Sequence, residues 1–255
     1  MAENNLNITA LQLNPVWNDA QHNRSEAEAM IRHSEKTDLF ILPEMFTTGF
    51  IPHPEDSCEA EDGDTLAWMK RMATMTDAAI TGSVAIKTKQ GDYRNRMYFV
   101  KPDGTSTFYD KHHLFTYAGE DQHYTPGKAP VIVSWRGVRI MLQVCYDLRF
   151  PCFSRNNSQT YDLLIYVASW PESRRHVWDI LLRARAIENQ CYVAGVNRIG
   201  DAPSCHYNGG TTIISPYGKA VATAADDTAG SITAPLDLNR LRAFREKFPV
   251  LRDAD

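Results

Sequence analysis

Short apolar runs separated by turn residues recur along the chain, and this pattern constrains the fold more than any other feature. Runs of this length are typical of buried β-strands. They predict strands over residues 8–13, 39–42, 79–86, 97–101, 138–144, 163–168, 192–196 and 211–214. Apolar residues at helical spacing predict helices over residues 23–36, 64–76 and 175–190. Strands that alternate with helices indicate an α/β fold.

Three turn signals show that the predicted sheet is mixed. Gly91, Gly104 and Gly218 each follow a predicted strand within a few residues and lie in short turns typical of β-hairpins. A hairpin joins antiparallel strands, whereas a strand-helix-strand unit joins parallel ones. The chain therefore contains both kinds of pairing.

The length and composition of the chain suit one domain. At 255 residues, with 43% apolar and 23% charged residues, the chain is long enough for one large core. It contains no internal repeat or low-complexity tract, and the Pro-containing segments 51–54 and 125–130 are too short to be linkers. We predict a single domain over residues 1–255 and interpret those two segments as loops that rim a pocket.

The charge and the cysteines narrow the class of protein. A formal net charge of −4 gives no basic surface for nucleic acid or for an anionic membrane. The first residues lack the pattern of a secretion signal, and no apolar stretch is long enough to span a bilayer. Five cysteines without Cys-x-x-Cys spacing argue against a disulfide framework and a structural zinc site. We therefore predict a cytoplasmic protein that binds neither nucleic acid nor membrane.

Cys145 directly follows the predicted strand 138–144, so a thiol lies where a buried strand ends. A sharp turn at such a point projects one side chain into a cleft. It also leaves the next backbone N–H, that of Tyr146, able to face a reacting carbonyl oxygen. The position is typical of a catalytic nucleophile, although a small core cysteine is the alternative on composition alone.

Two other strand ends carry groups that a reactive thiol needs. Glu44 follows the predicted strand 39–42 and one proline, and it is a candidate general base. Lys111 follows a short aromatic strand and is a candidate cation. Either residue alone at a strand end is usually solvated. A thiol, a carboxylate and an amine in equivalent positions together predict one reaction centre.

These three groups suit attack on an amide carbon. The thiolate is the nucleophile, and a thiol is mostly protonated at neutral pH, so a base must take the proton. In this interpretation Glu44 accepts the proton of Cys145 and returns it to the departing amine. Lys111 and the backbone N–H of Tyr146 stabilise the oxyanion that forms on the carbonyl oxygen.

The segments around these residues resemble those of the nitrilase superfamily of carbon-nitrogen hydrolases. The resemblance rests on residues 42–44, 111–115 and 145–151, and it extends over residues 183–197 and 209–218. It implies a four-layer α-β-β-α sandwich with mixed sheets. It also implies that protomers pair through outer helices into a homodimer or a larger homo-oligomer.

The resemblance assigns a role to each matching position. It implies that Glu44 is the general base, Lys111 the oxyanion stabiliser and Cys145 the nucleophile. A second glutamate after the lysine motif, here Glu120, is implied to hold the base and the lysine in place. The chain departs from the family pattern at Cys152, where many members carry glutamate, and this puts in doubt only a structural contact of Arg149.

Within the superfamily, segments 44–50, 169–171 and 245–249 look most similar to bacterial omega-amidases. That similarity implies a substrate class of small 2-oxo dicarboxylic acid monoamides, such as 2-oxoglutaramate and 2-oxosuccinamate. The products are the acid and ammonia, and the reaction passes through a cysteine thioester.

A substrate of this class carries a carboxylate, which the planar guanidinium of arginine pairs well. Arg174 and Arg175 follow the segment 169–171 and are the candidate partners of that carboxylate. Phe50, Tyr117 and Trp170 are candidate walls of the substrate pocket. Ordinary surface or core positions are the alternative for each of these residues.

No metal and no cofactor is predicted. His112 and His113 are adjacent and point to opposite sides of an extended segment, and His123 lies ten residues further on. No carboxylate or cysteine completes a set of zinc ligands at a familiar spacing. We expect His113 to be a packed, hydrogen-bonded histidine that supports Lys111.

Other functions remain open at this point. A nitrilase or an N-carbamoyl amino acid amidohydrolase uses the same triad, and only the pocket distinguishes the three activities. A non-catalytic binding protein on the same scaffold is an alternative of another class. Retention of all three triad residues argues against it, and a Cys145 that does not react with iodoacetamide is the observation that favours it.

Overall fold

The structure is a computed structural model and describes residues 5–203 and 205–253. Its strands are β1 (Asn5–Gln12), β2 (Leu39–Ile41), β3 (Glu59–Ala60), β4 (Ala79–Lys87), β5 (Tyr93–Val100), β6 (Ser106–Asp110), β7 (Val131–Trp135), β8 (Val138–Val144), β9 (Leu163–Ala168), β10 (Tyr192–Asn197), β11 (Ile199–Ala202), β12 (Cys205–Asn208), β13 (Thr212–Ile214), β14 (Ala220–Thr223) and β15 (Gly230–Asp237). Its helices are α1 (Ala20–His33), α2 (Asp64–Thr76), α3 (Glu120–His123), α4 (Arg175–Glu188) and α5 (Leu238–Lys247).

Two mixed sheets carry most of these strands. The first has the order β15-β1-β2-β4-β5-β6, with β3 also paired to β4, and the second has the order β14-β13-β10-β9-β8-β7. In the first sheet β1, β2 and β4 run parallel, and in the second β8, β9 and β10 do so. The short hairpin of β11 and β12 is separate from both sheets.

The four layers follow from where the apolar side chains are buried. One cluster lies between the sheets and joins residues such as Ile8 and Phe99 of the first sheet to Ile165 and Val196 of the second. A second cluster packs α1 and α2 on the outer face of the first sheet. A third packs α4 on the outer face of the second sheet. The four-layer α-β-β-α sandwich with mixed sheets is thereby confirmed.

Most of the predicted elements are present. Each predicted strand and helix has an observed counterpart, and hairpin turns lie at Gly91, Gly104 and Gly218. The first helix begins three residues earlier than predicted because the side chain of Asp19 caps it by accepting a hydrogen bond from the backbone N–H of His22. The prediction missed the strands whose side chains are mostly polar or exposed, namely β3, β7, β11, β12, β14 and β15.

No helix in residues 5–203 and 205–253 has the length and apolar composition that a bilayer crossing requires.

Candidate active site

The ends of three strands bring Glu44, Lys111 and Cys145 together between the two sheets. Glu44 follows β2 of the first sheet, Lys111 follows β6 of the same sheet, and Cys145 follows β8 of the second. The predicted reaction centre is therefore assembled from both sheets. The side chains of Glu44 and Lys111 are completely buried, whereas Cys145 keeps partial exposure toward a cavity.

Lys111 is held between two carboxylates. Its Nζ donates to Glu44 Oε1 at 3.0 Å and to Glu120 Oε2 and Oε1 at 2.8 and 3.1 Å. Asn95 Nδ2 donates to the same pair, to Glu44 Oε1 at 2.8 Å and to Glu120 Oε1 at 3.2 Å. Backbone N–H groups also donate to the two carboxylates, Ser169 to Glu44 Oε2 at 2.8 Å and Phe115 to Glu120 Oε2 at 2.6 Å. Every oxygen of the two carboxylates thus has a donor.

Burial and charge act in opposite directions on the protonation of this cluster. Burial alone lowers the pKa of Lys111, but the charges of Glu120 and Glu44 outweigh it and raise that pKa well above its usual value. Burial raises the pKa of Glu120, and the nearby charge of Lys111 opposes this rise. Lys111 is therefore a permanent cation at any pH near neutrality.

Cys145 lies in a strained turn. Its backbone has φ of +46°, in the left-handed region that non-glycine residues rarely adopt. The buried carboxylate of Asp147 braces the turn by accepting from the backbone N–H groups of Val144 and His113, both at 3.0 Å, and from Tyr109 Oη at 2.7 Å. This bracing fixes the direction in which the thiol points.

Burial raises the pKa of the Cys145 thiol well above its usual value, and the charge of Glu44 adds to this rise. Lys111 and the backbone N–H of Ser169 oppose it. The resting sulfur is therefore a thiol, and the adjacent carboxylate of Glu44 is the group placed to take its proton.

Cys145 opens into a cavity of about 540 Å³. Glu44 and Lys111 also reach its surface, so all three groups share one space. The predicted aromatic walls lie on this cavity. Phe50 lies over Lys111 with Nζ 5.5 Å from its ring centre, Trp170 is 3% exposed, and Tyr117 is 86% exposed at the rim.

Comparison with known proteins identifies the family. A sequence model described as carbon-nitrogen hydrolase matches residues 7–246. The chain belongs to this family. The hydrolase is 49% identical to omega-amidase YafV of Escherichia coli strain K12, over 98% of this chain and 97% of that one. It is 34% identical to 2-oxoglutaramate amidase of Bacillus subtilis, over 96% of each chain.

Solved structures agree with this membership. The hydrolase superposes with a TM-score of 0.95 on XC1258 from Xanthomonas campestris, described as a CN-hydrolase superfamily protein with an arsenic adduct in its active site. The two chains are 39% identical, and the match covers 98% of this chain and 97% of the other. The resemblance to the superfamily that the sequence predicted is confirmed.

The two candidate arginines of the hydrolase differ in position. Arg174 lines the cavity, with its guanidinium carbon 5.4 Å from the centre of the Phe115 ring. Arg175 is not among the residues that line the cavity, and its guanidinium pairs with Asp179 at 3.0 Å and Asp226 at 2.9 Å. Of the two predicted arginines, the structure therefore brings Arg174 to the cavity and leaves Arg175 out of its lining.

Sequence reasoning did not select several residues of the site. Arg149 lines the cavity, with its guanidinium 5.1 Å from the centre of the Trp170 ring. Asn95 is a buried polar residue of β5, and such a residue can mark a functional site. The predicted strand began only at residue 97, so Asn95 was not considered. Ser169 follows β9, so the strand-end argument that found Cys145 applies to it equally. Tyr207 of β12 also lines the cavity.

Two predicted supporting residues occupy the turn around Cys145. Tyr146 follows the thiol directly, and its side chain lines the cavity. Nδ1 of His113 forms a hydrogen bond of 2.8 Å with Asp147 Oδ1. The His113 ring stacks on Phe150, with 3.8 Å between the ring centres. His113 is thus packed and hydrogen-bonded as predicted, but it braces the Cys145 turn through Asp147 rather than contacting Lys111.

Proposed function

We propose that this hydrolase is an omega-amidase that removes ammonia from small 2-oxo dicarboxylic acid monoamides such as 2-oxoglutaramate. The observation that carries the proposal is the cavity itself, which is lined by the buried Glu44 and Lys111, by the partly exposed Cys145, and by Arg149 and Arg174. The names of the Escherichia coli and Bacillus subtilis relatives support the same substrate class.

The first half of the reaction forms a thioester. Glu44 takes the proton of Cys145 as the sulfur adds to the amide carbon. The carbonyl oxygen becomes an oxyanion, to which Lys111 Nζ and the backbone N–H of Tyr146 donate. Glu44 then gives the proton to the amide nitrogen, the carbon-nitrogen bond breaks, and ammonia leaves.

The second half releases the acid. Glu44 takes a proton from a water molecule, and the resulting hydroxide adds to the thioester carbon to form a second oxyanion at the same donors. Collapse of this intermediate breaks the carbon-sulfur bond, and the proton returns to Cys145. Glu120 takes no part in bond making, and it acts by fixing Lys111.

The two arginines account for substrate choice. A 2-oxo acid presents a carboxylate and an adjacent carbonyl oxygen, and both accept hydrogen bonds from guanidinium groups. Glutamine presents an ammonium group beside its carboxylate, which two guanidinium groups repel. The cavity therefore favours 2-oxoglutaramate over glutamine.

The proposal is tested by ammonia release from 2-oxoglutaramate, glutamine, a nitrile of matched length and an N-carbamoyl amino acid. We expect kcat/KM to be highest for 2-oxoglutaramate. A higher kcat/KM for the nitrile or the carbamoyl compound assigns the enzyme to one of those activities instead.

The arginine assignment has a matched control in the next residue. We expect Arg174→Ala to lower kcat/KM for 2-oxoglutaramate roughly 30-fold, about 2 kcal/mol, since it removes a charge-assisted hydrogen bond and leaves a carboxylate unpaired. Arg175→Ala removes the same charge outside the cavity and is expected to change this value little. The assignment is contradicted if the two variants lose kcat/KM equally. It is also contradicted if Arg174→Ala loses as much kcat/KM with a neutral amide of similar length as with 2-oxoglutaramate.

We also propose that the enzyme acts in the cytoplasm as a homodimer. None of its five cysteines forms a disulfide, which suits a reducing compartment. Exposed apolar side chains of the outer helix α4, Ile180 and Ile187, supply a surface for a second copy. Light scattering of the purified protein gives the mass of the assembly directly, and a monomer at micromolar concentration contradicts the dimer.

A further inference from the structure

His53, Glu55 and His123 form a cluster beside the active-site cavity. One potential ligand atom of each residue lies within 4.8 Å of those of the other two. Nδ1 of His123 is 2.6 Å from Glu55 Oε1, and the rings of His53 and His123 meet edge to face with centres 4.3 Å apart. The triad mechanism uses none of these three side chains.

The backbone around the cluster is ordered by other contacts. Prolines at positions 52 and 54 flank His53 and restrict its φ/ψ freedom. Tyr124, which follows α3, donates from Oη to the carbonyl of Ile51 at 2.7 Å in a buried contact. This hydrogen bond holds the segment 51–55 against the end of α3. Because the two segments are already ordered, less conformational entropy is lost when a ligand binds.

The donor set suits a transition-metal ion. Two imidazoles and one carboxylate are preferred ligands of Zn²⁺ and similar divalent ions. With metal-ligand bonds of about 2.0–2.2 Å, tetrahedral ligand atoms lie roughly 3.3 Å apart. Small rotations of the side chains bring the ligand atoms into that arrangement. The metal ion then replaces the hydrogen bond between Glu55 and His123, and the proton of that bond passes to solvent.

We propose that His53, Glu55 and His123 bind one divalent transition-metal ion, Zn²⁺ or a chemically similar ion, at the rim of the active-site cavity. Three protein ligands on an exposed surface leave the remaining coordination positions to water. The ion takes no part in the thioester chemistry, because Cys145, Glu44 and Lys111 supply every group that the reaction needs.

The ion links two segments that shape the active site. His53 follows Pro52, which lines the cavity, and Phe50 on the same segment lies over Lys111. His123 ends the short helix α3, whose first residue is Glu120, the closest partner of Lys111. The bound ion therefore cross-links the segment that contains Pro52 to helix α3, and it limits the motion of one relative to the other.

Titration of the metal-free enzyme with Co²⁺ tests the site, because the spectrum of Co²⁺ distinguishes nitrogen and oxygen ligands from thiolates. We expect one Co²⁺ per chain, with visible d–d bands and no sulfur-to-cobalt charge-transfer band in the near ultraviolet. Zn²⁺ is expected to displace it. The absence of the charge-transfer band separates this site from binding at Cys145 or another thiol.

Variants of the ligands locate the site. We expect His53→Ala and His123→Ala each to weaken Co²⁺ binding by at least about tenfold, since loss of even an outer-shell partner has an effect of that size. Glu55→Gln is expected to weaken binding as well, because an amide is a poorer ligand at the same size. His22→Ala, an exposed histidine on α1, is the matched control and is expected to bind Co²⁺ normally.

His53 and Glu55 are exposed and His123 is partly exposed. The variants are therefore expected to melt close to the temperature of the unmodified enzyme. The proposal is overturned if the enzyme binds no Co²⁺, if the bound ion shows the sulfur band, or if His53→Ala and His123→Ala bind as tightly as His22→Ala.

Discussion

At the scale of single residues, the site depends on keeping two carboxylates and one ammonium group away from water. An isolated buried charge is strongly destabilising, and a buried pair is tolerated only when its remaining polar atoms are hydrogen-bonded. Here Lys111 bonds to both Glu44 and Glu120, and Asn95 and two backbone N–H groups add further hydrogen bonds to the two carboxylates. The Glu44 carboxylate, the proposed general base, is thereby fixed in position.

Replacement of the thiol tests the nucleophile. We expect Cys145→Ala to lose essentially all ammonia release from 2-oxoglutaramate, because the thioester cannot form, while the melting temperature changes little. Steady-state turnover and thermal unfolding measure the two expectations. A variant that keeps more than about one per cent of the wild-type turnover excludes Cys145 as the nucleophile, since removal of a nucleophile costs many orders of magnitude.

Glu120 is predicted to act through Lys111 rather than on the substrate. Glu120→Gln preserves size but removes the negative charge that lies 2.8 Å from Nζ, so Lys111 loses its closest partner. We expect kcat to fall at least about tenfold while KM stays within about twofold, the pattern of a group that matters mainly in the transition state. A rise in KM without a fall in kcat contradicts a positioning role and indicates direct substrate contact.

At the scale of secondary-structure elements, the ends of strands place the groups of the site. Glu44 and Cys145 follow the parallel strands β2 and β8, whereas Lys111 follows the antiparallel edge strand β6. β8 ends one residue before Cys145, and β9 ends one residue before Ser169, whose backbone N–H fixes Glu44. The separate hairpin of β11 and β12 completes the cavity with Cys205 and Tyr207. Contacts outside the two sheets hold that hairpin. The backbone N–H of Ile199 donates to the carbonyl of Leu13 at 2.9 Å, and side-chain contacts add to this bond.

His206 provides one such contact and makes it sensitive to pH. Its Nδ1 lies 2.8 Å from Asp201 and its Nε2 lies 3.0 Å from Asp227, an arrangement in which both ring nitrogens donate only when the imidazole is protonated. Hydrogen bonds to Asp201 and Asp227 raise the pKa of His206 above its usual value of 6.5. The stabilisation is therefore complete below the unfolded pKa and is lost as pH rises through the raised folded pKa.

The variant His206→Gln keeps a polar side chain but cannot carry the charge. We expect its melting temperature to fall below that of the unmodified enzyme at about pH 6 and to match it at about pH 9, because the ion pairs exist only at the lower pH. His176→Gln, at an exposed position on α4, is the control. A deficit that is equal at both pH values, or larger at the higher one, contradicts the ion-pair explanation.

At the scale of the whole molecule, the two sheets depend on each other. The apolar cluster between them contains side chains from both sheets. Each sheet therefore covers the apolar inner face of the other. Glu44 and Lys111 come from one sheet and Cys145 from the other. The relative position of these three side chains consequently depends on how the two sheets pack. A substitution that changes this packing moves the side chains relative to one another even when it lies outside the site.

A substitution in the core between the sheets tests this dependence. Ile165 of β9 is completely buried between the sheets, and we expect Ile165→Ala to lower the free energy of unfolding by about 2–5 kcal/mol, the usual cost of such a cavity. Unfolding is expected to remain a single transition when it is followed by tryptophan fluorescence and by far-ultraviolet circular dichroism. Ile132→Ala, at a position 42% exposed on β7, is the control and is expected to change the stability much less. Two separated transitions contradict a shared core.

The sequence by itself determined the α/β class and the main strands and helices. It also selected Glu44, Lys111 and Cys145, three side chains that line one cavity in the structure. A continuous apolar run identifies a strand that is buried on both faces, as β8 and β9 are, because nearly every side chain of such a strand lies in the core. Glu44, Lys111 and Cys145 were found because each polar residue interrupts or follows an apolar run. The same logic failed for β14 and β15, whose side chains are mostly exposed or partly exposed.

The tertiary structure alone decided which groups meet across long sequence separations. Arg174 and Arg175 are neighbours with the same charge, yet one lines the cavity and the other pairs with Asp226. His123 lies 68 residues from Glu55 in sequence but forms a hydrogen bond with it. Side-chain direction and long-range proximity depend on how the layers pack, and local sequence patterns report only on neighbours within a few residues.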